Sequence, residues 1–468
     1  MRKHQFMNAA FILLGMAMGG SLFAQEAGLL REPGLLREPG LLRETLRLTP
    51  DEAVERALKN NLSLESARVS SGTRKRASDL SWNQFIPNVT VGGSLVHENS
   101  STSLFDMPPG VPNPVEASQW GIAGSIQASM TISIAMFENM KRLRLDYEGG
   151  LIGYEKAKSQ LERDVRKAYN SMLLLQENIN LLKENFDAAG RRVAMARANY
   201  NAGLAPELSY LQAQVAVENM KPMIDQAENG FRLSLAQFAL FLGLPYDTPF
   251  ELIPVENEAA FIPLDVKELI SKAASGKPDI QELKHTILLL QSARKAQVFS
   301  LLPSLTLSWN TTPFFILEPK PEKMGDVERR ITNQFTITFG LRLNSLIPFS
   351  VDFQGIKNMD DQIRTANIGL AQMIRGTEIE IYNTILSLEK TRITTEAQTQ
   401  TVNLAERAYR LTEQAYRSGL QDLLQVQNAE LELKQAKVSM LEQQFNYLNG
   451  LLDLEYAIGV PFGTLRSK

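Results

Sequence analysis

The sequence feature that most constrains the fold is a strict alternation of residue types over residues 119–134. One face carries Trp120, Ile122, Ile126, Ala128, Met130, Ile132 and Ile134, and the other carries Gln119, Ser125, Gln127, Ser129, Thr131 and Ser133. A repeat of two residues is the period of a β-strand. The stretch is therefore predicted to be a strand with one apolar and one polar face.

Three further stretches alternate in the same way, at residues 88–95, 304–310 and 334–344. A soluble, half-exposed sheet would show the same pattern, but the remaining sequence offers no second sheet on which these strands could pack. A tilted strand of roughly 9 to 11 residues crosses a bilayer. Because open strand edges are not tolerated in lipid, four strands would need further strands from other copies. The residues predicted to face lipid are Trp120, Ile122, Ile126, Met130, Phe335, Ile337, Phe339 and Leu341.

The composition argues against catalysis and against nucleic-acid binding. The chain has 468 residues, a formal net charge of −3 and no cysteine, so disulfides, thiolate ligands and cysteine nucleophiles are excluded. Only three histidines occur, and the sequence contains no phosphate loop, paired-histidine metal motif or nucleophile elbow. We therefore expect no enzyme activity, no cofactor, no metal and no nucleic-acid partner.

The N-terminus is typical of an exported protein. Residues 1–24 combine a positive start, a short apolar run and Ala24 as a cleavage edge, which predicts a signal peptide. Residues 25–47 contain a sixfold-periodic Gly-Leu-Leu-Arg-Glu-Pro tract, whose regular prolines prevent a long helix and predict a tether of low order. No later stretch approaches ~18 uninterrupted apolar residues, so a periplasmic or outer-membrane protein is expected.

Helical signals surround the strands. Thr49, followed by a proline and then Glu52, forms a capping-box signature for a helix start. From Leu161 to Tyr200 apolar residues recur in a heptad pattern, which predicts a long coiled-coil helix. The pattern ends at residues 201–203 and a return helix is predicted over about 206–242, kinked at Pro222.

The same order of helices and strands then repeats along the chain. Tyr200 with Gly203 recurs as Tyr416 with Gly419, 216 residues further along, and other matched pairs share this offset. The predicted organisation is a first repeat at 48–245, a connector at 246–263, a second repeat at 264–461 and a C-terminal tail at 462–468. Each repeat holds a helix, two β-strands and a long helical hairpin.

These features together resemble the outer-membrane factor family, the TolC-type exit ducts of efflux pumps and type I secretion systems. The resemblance covers about residues 48–461 and rests on the duplicated order, on the opening Leu-Thr-Pro-Asp-Glu-Ala at 48–53, and on the two hairpin tips after Gly203 and Gly419. It implies a mainly α fold with a membrane β-barrel. In that fold a homotrimer shares one twelve-stranded barrel, four strands per protomer, above an α-helical periplasmic tunnel.

The resemblance also implies functional positions. Contact with a periplasmic adaptor protein is expected at the tips, through Gly203, Leu204, Leu208, Gly419, Leu420 and Leu424. The glycines could equally serve only the turns, and the leucines could cap the hairpin core. An acidic gate found in some members carries over only in part, as Arg410 and Glu413, and these two residues also fit a solvated helix face.

The expected function is that of an outer-membrane exit channel of a tripartite efflux pump. As a homotrimer in outer-membrane lipid, it would passively conduct small molecules from the periplasm of a Gram-negative cell, acting with an adaptor and, indirectly, an inner-membrane pump. A duct for type I protein secretion has the same architecture. A soluble periplasmic coiled-coil adaptor or scaffold would explain the heptads but not the four amphipathic strands.

Overall fold

The computed structural model describes most of the chain, namely residues 45–98, 119–254, 265–317, 329–341, 343, 347–418 and 420–465. Its contacts divide the chain after Leu46, and the account below concerns the unit Arg47–Lys468. The predicted signal peptide, the tether up to residue 44, residues 99–118, residues 255–264 of the connector region and the last three residues of the tail lie outside the described residues.

Long α-helices dominate the described structure. Their bounds are α1 Pro50–Asn60, α2 Leu62–Asp79, α3 Ile134–Asn201, α4 Glu207–Phe241, α5 Val266–Gly276, α6 Pro278–Phe299, α7 Val351–Arg417 and α8 Leu423–Ile458, with a short 3₁₀ helix at Ser81–Phe85. At roughly 1.5 Å per residue, α3 and α7 are each about 100 Å long. None of the helices in the described part of the chain combines the length and apolar character needed to cross a bilayer.

The strands form two sheets, one of four strands and one of two short strands. Their bounds are β1 Leu46–Leu48, β2 Asn88–Glu98, β3 Gln119–Ile132, β4 Phe250–Leu252, β5 Ser304–Leu317 and β6 Arg329–Gly340. The larger sheet has the order β2-β3-β5-β6, and each neighbouring pair in it is antiparallel. The mainly helical fold with a small sheet portion, predicted from the sequence, is confirmed.

The helix starts follow the local chemistry of their caps. Thr49 accepts a hydrogen bond from the Glu52 amide at 3.3 Å, and the Glu52 carboxylate accepts one from the Thr49 amide at 2.8 Å. The hydrogen bonds that the Thr49 amide and hydroxyl donate to this carboxylate lower its pKa below the ordinary value. In the second half, Asp265 caps α5 by accepting from the Lys267 amide at 2.9 Å. Both caps satisfy amides that the first helical turn leaves free.

Shorter helices stack end to end beside each long one. The helix pair α1 and α2 and the helix α4 all pack against α3, and α5, α6 and α8 all pack against α7. The stack closes at Gly243, whose φ of +71° suits glycine and where a Cβ would lie 2.2 Å from the Asn60 carbonyl oxygen. Gly459, with φ +69°, approaches the Gly276 carbonyl oxygen in the same way. Each junction thus requires a residue without a side chain.

The core follows the predicted heptad seam. Leu161, Val165, Met172, Ile179, Leu182, Ala189 and Ala196 of α3 are buried. A second apolar cluster joins α5, α7 and α8 through Leu269, Ile381, Leu388, Leu451 and Leu454. Glu455 of α8 is fully buried, and its carboxylate accepts hydrogen bonds from the amides of Gly463 and Leu465 at 3.0 and 2.8 Å. This carboxylate anchors the segment that follows α8.

The structure differs from the sequence prediction at several element ends: β2 and β5 extend past residues 95 and 310, and β6 begins at Arg329 rather than at residue 334. Ile134, expected on the strand, begins α3, and Leu341, expected on the fourth strand, lies one residue beyond β6. The predicted tether ends before Leu46, because β1 forms a small sheet with β4. The Tyr169 hydroxyl supports this sheet, lying 2.7 Å from the Leu48 carbonyl oxygen and 2.8 Å from that of Ile253.

Candidate functional site

The register of the larger sheet aligns the alternating residues of neighbouring strands, so that residues opposite each other point to the same face. Cross-strand partners share a face, and most pairs are apolar with apolar or polar with polar: Ala128 lies opposite Trp309, and Trp309 lies opposite Phe335. On the reverse side Gln127 lies opposite Asn310. The four strands therefore present one largely apolar face and one largely polar face.

The apolar face is uncovered in the described chain. Ile122, Ile126, Phe335, Ile337 and Phe339 are exposed, and the exposed fraction of Phe339 reaches 72%. An exposed apolar surface of this kind marks contact with lipid or with another protein. Met130 is half-buried on the same face, Leu341 lies just past the strand, and the side chain of Trp120 lies outside the described residues.

One polar pair interrupts the apolar face. Thr311 and Asn333 lie opposite each other on β5 and β6, and the Thr311 hydroxyl donates to the Asn333 amide oxygen at 2.5 Å. A polar group facing an apolar medium is costly unless it is hydrogen-bonded. The two side chains reduce this cost by bonding to each other, with Thr311 buried and Asn333 exposed.

The first hairpin tip joins α3 to α4 through a tight turn. The Gly203 amide donates to the Tyr200 carbonyl at 2.9 Å and the Leu204 amide donates to the Asn199 carbonyl at 2.8 Å. This is a Schellman motif, and Gly203 has the positive φ of +69° that the motif needs. Leu204 is 79% exposed, and Leu208 is exposed beside it.

The second tip joins α7 to α8 in the same manner. The Leu420 amide donates to the Ala415 carbonyl at 2.9 Å, which matches the bond of Leu204 in the first tip. Asp422 caps α8 by accepting from the Gln425 amide at 3.0 Å. Leu420 is 78% exposed and Leu424 is exposed, whereas Gly419 lies outside the described residues. Both tips thus present a leucine that contributes little to the hairpin core.

Behind the tips, the two hairpins are tied by a buried ion pair. Arg192 of α3 donates to the Glu430 carboxylate of α8, and the side chains are only 5% and 15% exposed. Arg192 also donates to the Tyr409 hydroxyl of α7 at 3.3 Å, so its guanidinium links α3 to both helices of the second hairpin. Burial raises the pKa of the Glu430 carboxyl, and the Arg192 charge offsets only part of that rise.

The ion pair borders a cavity of about 300 Å³ between the hairpins. The second carboxylate oxygen of Glu430 is buried without a hydrogen-bond partner. Ala196, Ala213 and Leu423 pack together nearer the tips. The charge pair therefore lies in an otherwise apolar contact, where an unpaired charge would be costly.

The two residues predicted for a gate do not contact each other in a described interaction. Arg410 is exposed, and Glu413 accepts a hydrogen bond from Arg417 at 2.8 Å on the same helix. Such an exposed pair four residues apart contributes little stability. A role for Arg410 and Glu413 in closing a tunnel stays a prediction. Across the described ranges, no group of acidic residues and histidines has the arrangement of a metal site.

One protein-family model matches part of the chain. Residues 53–244 match the family model of the outer membrane efflux protein. This confirms the predicted resemblance to the outer-membrane factors. The match ends one residue after Gly243 of the first repeat. No curated protein matches the sequence.

Solved structures show the same fold. The chain superposes on a structure of CusC with a TM-score of 0.69 at 14% identity, covering 92% of this chain and 96% of that one. The outer membrane channel CmeC of Campylobacter jejuni gives a TM-score of 0.69 at 17% identity, with 88% and 85% covered. The open state of the channel MtrE of Neisseria gonorrhoeae gives 0.65 at 16%, with 88% and 89% covered.

Sequence reasoning missed the Arg192–Glu430 pair. The two residues are 238 positions apart, and each occupies a helix on which charged residues are common. The heptad pattern places Arg192 next to the seam residue Val193, which is the one sequence signal that it faces a neighbouring helix. The partner could not be inferred, because the register between the two hairpins depends on packing.

We predict that removing the Arg192 charge makes the hairpin contact sensitive to pH. In Arg192→Met the Glu430 carboxylate remains buried without its counter-charge, which typically costs about 3 to 5 kcal/mol. An acid whose pKa is raised in the folded state loses stability as pH rises through that pKa. The thermal midpoint of the purified variant should therefore fall further below that of the wild type at pH 8 than at pH 5.

The double variant Arg192→Met with Glu430→Met is the matched control. It leaves no buried charge, so its midpoint should lie closer to the wild type and lack the added pH dependence. Equal losses at both pH values in Arg192→Met would contradict a buried ionised Glu430.

Proposed function

We propose that this protein is the outer-membrane exit channel of a tripartite efflux pump, which passively conducts small molecules from the periplasm to the exterior as a homotrimer. The observation that carries the proposal is the sheet, which has one exposed apolar face and one exposed polar face and continues directly into helices about 100 Å long. The match to the outer membrane efflux family supports the same function.

The apolar face supports the membrane location. In water, the exposed side chains of Phe335, Ile337 and Phe339 would remain hydrated at a cost of roughly 25 cal/mol per Å². A bilayer removes this surface from water without a protein partner. A soluble coiled-coil scaffold would leave the same face in water, so the sheet favours the channel over that alternative.

The sheet edges support the homotrimer. β2 and β6 are the outer strands of the sheet, so each has one edge unpaired among the described residues. In hydrocarbon each unpaired backbone group costs several kcal/mol, and only closure removes the edges. Three copies would supply twelve strands, which allows a closed barrel with a conducting interior.

The tips support the adaptor partner. Leu204 and Leu420 are exposed at the ends of helices that begin at the sheet, so they lie far from any lipid contact. Exposed leucines at matching positions of two hairpins are explained by a protein that covers both. We assign this contact to a periplasmic adaptor, through which an inner-membrane pump delivers substrate.

Charge on the apolar face should block membrane insertion. Arginine in place of Ile126 or Ile337 would meet hydrocarbon, with a cost of about 2 to 4 kcal/mol near mid-bilayer. Arginine in place of Gln127 or Thr338, their neighbours on the polar face, should be tolerated. The measurement is the yield of trimer in the outer-membrane fraction, and equal yields for all four variants would contradict the membrane assignment.

Charge at the tips should prevent adaptor binding without affecting assembly. The double variant Leu204→Asp with Leu420→Asp changes exposed side chains, so the amount of trimer should stay near the wild-type level. Cross-linking to the adaptor and export of pump substrates should be lost. Leu204→Met with Leu420→Met, which keeps the apolar surface, is the control and should retain both.

Two outcomes would revise this assignment. Normal export by the aspartate variant would place the adaptor contact elsewhere. A variant that fails to assemble would show that the leucines stabilise the hairpins.

A further inference from the structure

We propose that an oblique row of neutral side chains, Thr90, Gln127, Asn310 and Gln334, is the hydrogen-bonding surface for solutes crossing the membrane section, and that this row admits solutes of either charge. The inference rests on the proposed channel function, since it takes the polar face of the sheet as the wall of the conducting path. We call these four residues the amide row.

The register places the amide row across the entire sheet. Thr90 of β2 lies opposite Gln127 of β3, Gln127 lies opposite Asn310 of β5, and Asn310 lies opposite Gln334 of β6. Opposed residues on neighbouring strands lie about 5 Å apart. Each strand thus contributes one member, and three adjacent members are amides.

Over the rows on either side of the amide row, residues 88–94, 123–131, 304–312 and 332–340, the polar face carries no charged residue. Its members there are Asn88, Thr90, Gly92, Ser94, Ala123, Ser125, Gln127, Ser129, Thr131, Ser304, Thr306, Ser308, Asn310, Thr312, Thr332, Gln334, Thr336, Thr338 and Gly340. A solute at these rows therefore meets no fixed charge of either sign. The charged residues that the register places on the same face, Glu98 as the last residue of β2 and Arg330 as the second of β6, lie nearer the other end of the sheet.

The amide row differs from its neighbours in length and in bonding. The next row contains the short side chains of Ser129 and Ser308, and in the row beyond it Thr131 and Thr306 bond to each other at 3.0 Å. The glutamines reach further from the sheet than these hydroxyls. Gln127 and Gln334 are exposed, so their amides are accessible to a passing solute.

Amides suit a wall that must serve different solutes. Each offers two N–H donors and a carbonyl acceptor, so it can bond to an ammonium, a carboxylate or a hydroxyl without a change of ionisation. The substrate class indicated for the amide row is polar solutes irrespective of charge. Any discrimination by charge would then arise elsewhere along the path.

Charge placed on the amide row should create selectivity. We expect the triple variants at Gln127, Asn310 and Gln334 to Glu and to Lys to shift the cation-to-anion permeability ratio in opposite directions. The shift should be roughly fivefold, which corresponds to about 1 kcal/mol for charges near contact in water. The measurement is the reversal potential of the purified full-length protein in planar bilayers under a KCl gradient.

A neutral triple variant provides the control. Gln127→Asn, Asn310→Gln and Gln334→Asn keep the amide chemistry and should keep the wild-type ratio. Replacing the same three residues with leucine should lower conductance while leaving the ratio unchanged, because an apolar wall disfavours water.

The outcomes separate this inference from the channel itself. Conducting trimers whose ratio is the same in the Glu, Lys and wild-type proteins would overturn the inference and leave the channel intact. Charged variants that fail to insert, while the neutral control inserts, would place the row against lipid and overturn it as well. A wild-type protein that does not conduct would instead contradict the proposed function.

Discussion

The hydrogen-bonding demand of the backbone at the two open edges of the sheet is the constraint on which the rest of the proposed assembly depends. β2 and β6 each end the sheet of four strands, yet its apolar face is suited to hydrocarbon, where unpaired amides and carbonyls are not tolerated. A single chain cannot meet both conditions. In the proposed homotrimer, closure by further copies meets both, and it would turn the polar face inward to make a wall for solutes.

The helical part depends on a different constraint, the close approach of backbones where shorter helices meet end to end. Gly243 lies against Asn60 and Gly459 lies against Gly276, and a Cβ at either glycine would lie 2.2 Å from a carbonyl oxygen. The absence of a side chain lets the shorter helices continue each other beside α3 and α7. The leucine tips are thereby held about 100 Å from the sheet.

Much of this architecture could be predicted because its signals are local. Alternation fixed which face of each strand is apolar, and the Thr49 cap and Gly203 turn follow from chemistry within a few residues. Contacts between segments that are far apart in the sequence produce no such local pattern. The sheet of β1 and β4 has strands of only three residues, and the Arg192–Glu430 pair depends on how two hairpins align. Leu341 continued the alternation although the strand ends at Gly340.

The central claim is that β2 of one copy pairs with β6 of the next, and disulfide cross-linking tests it directly because the chain has no native cysteine. One cysteine would replace Thr90 on β2, combined in turn with a cysteine at Thr332, Thr336 or Thr338 on β6. Adjacent strands bring such pairs within disulfide reach. We expect at least one combination to yield a covalent trimer and nothing larger. Monomers in every combination, or a ladder extending beyond trimers, would contradict the closed homotrimer.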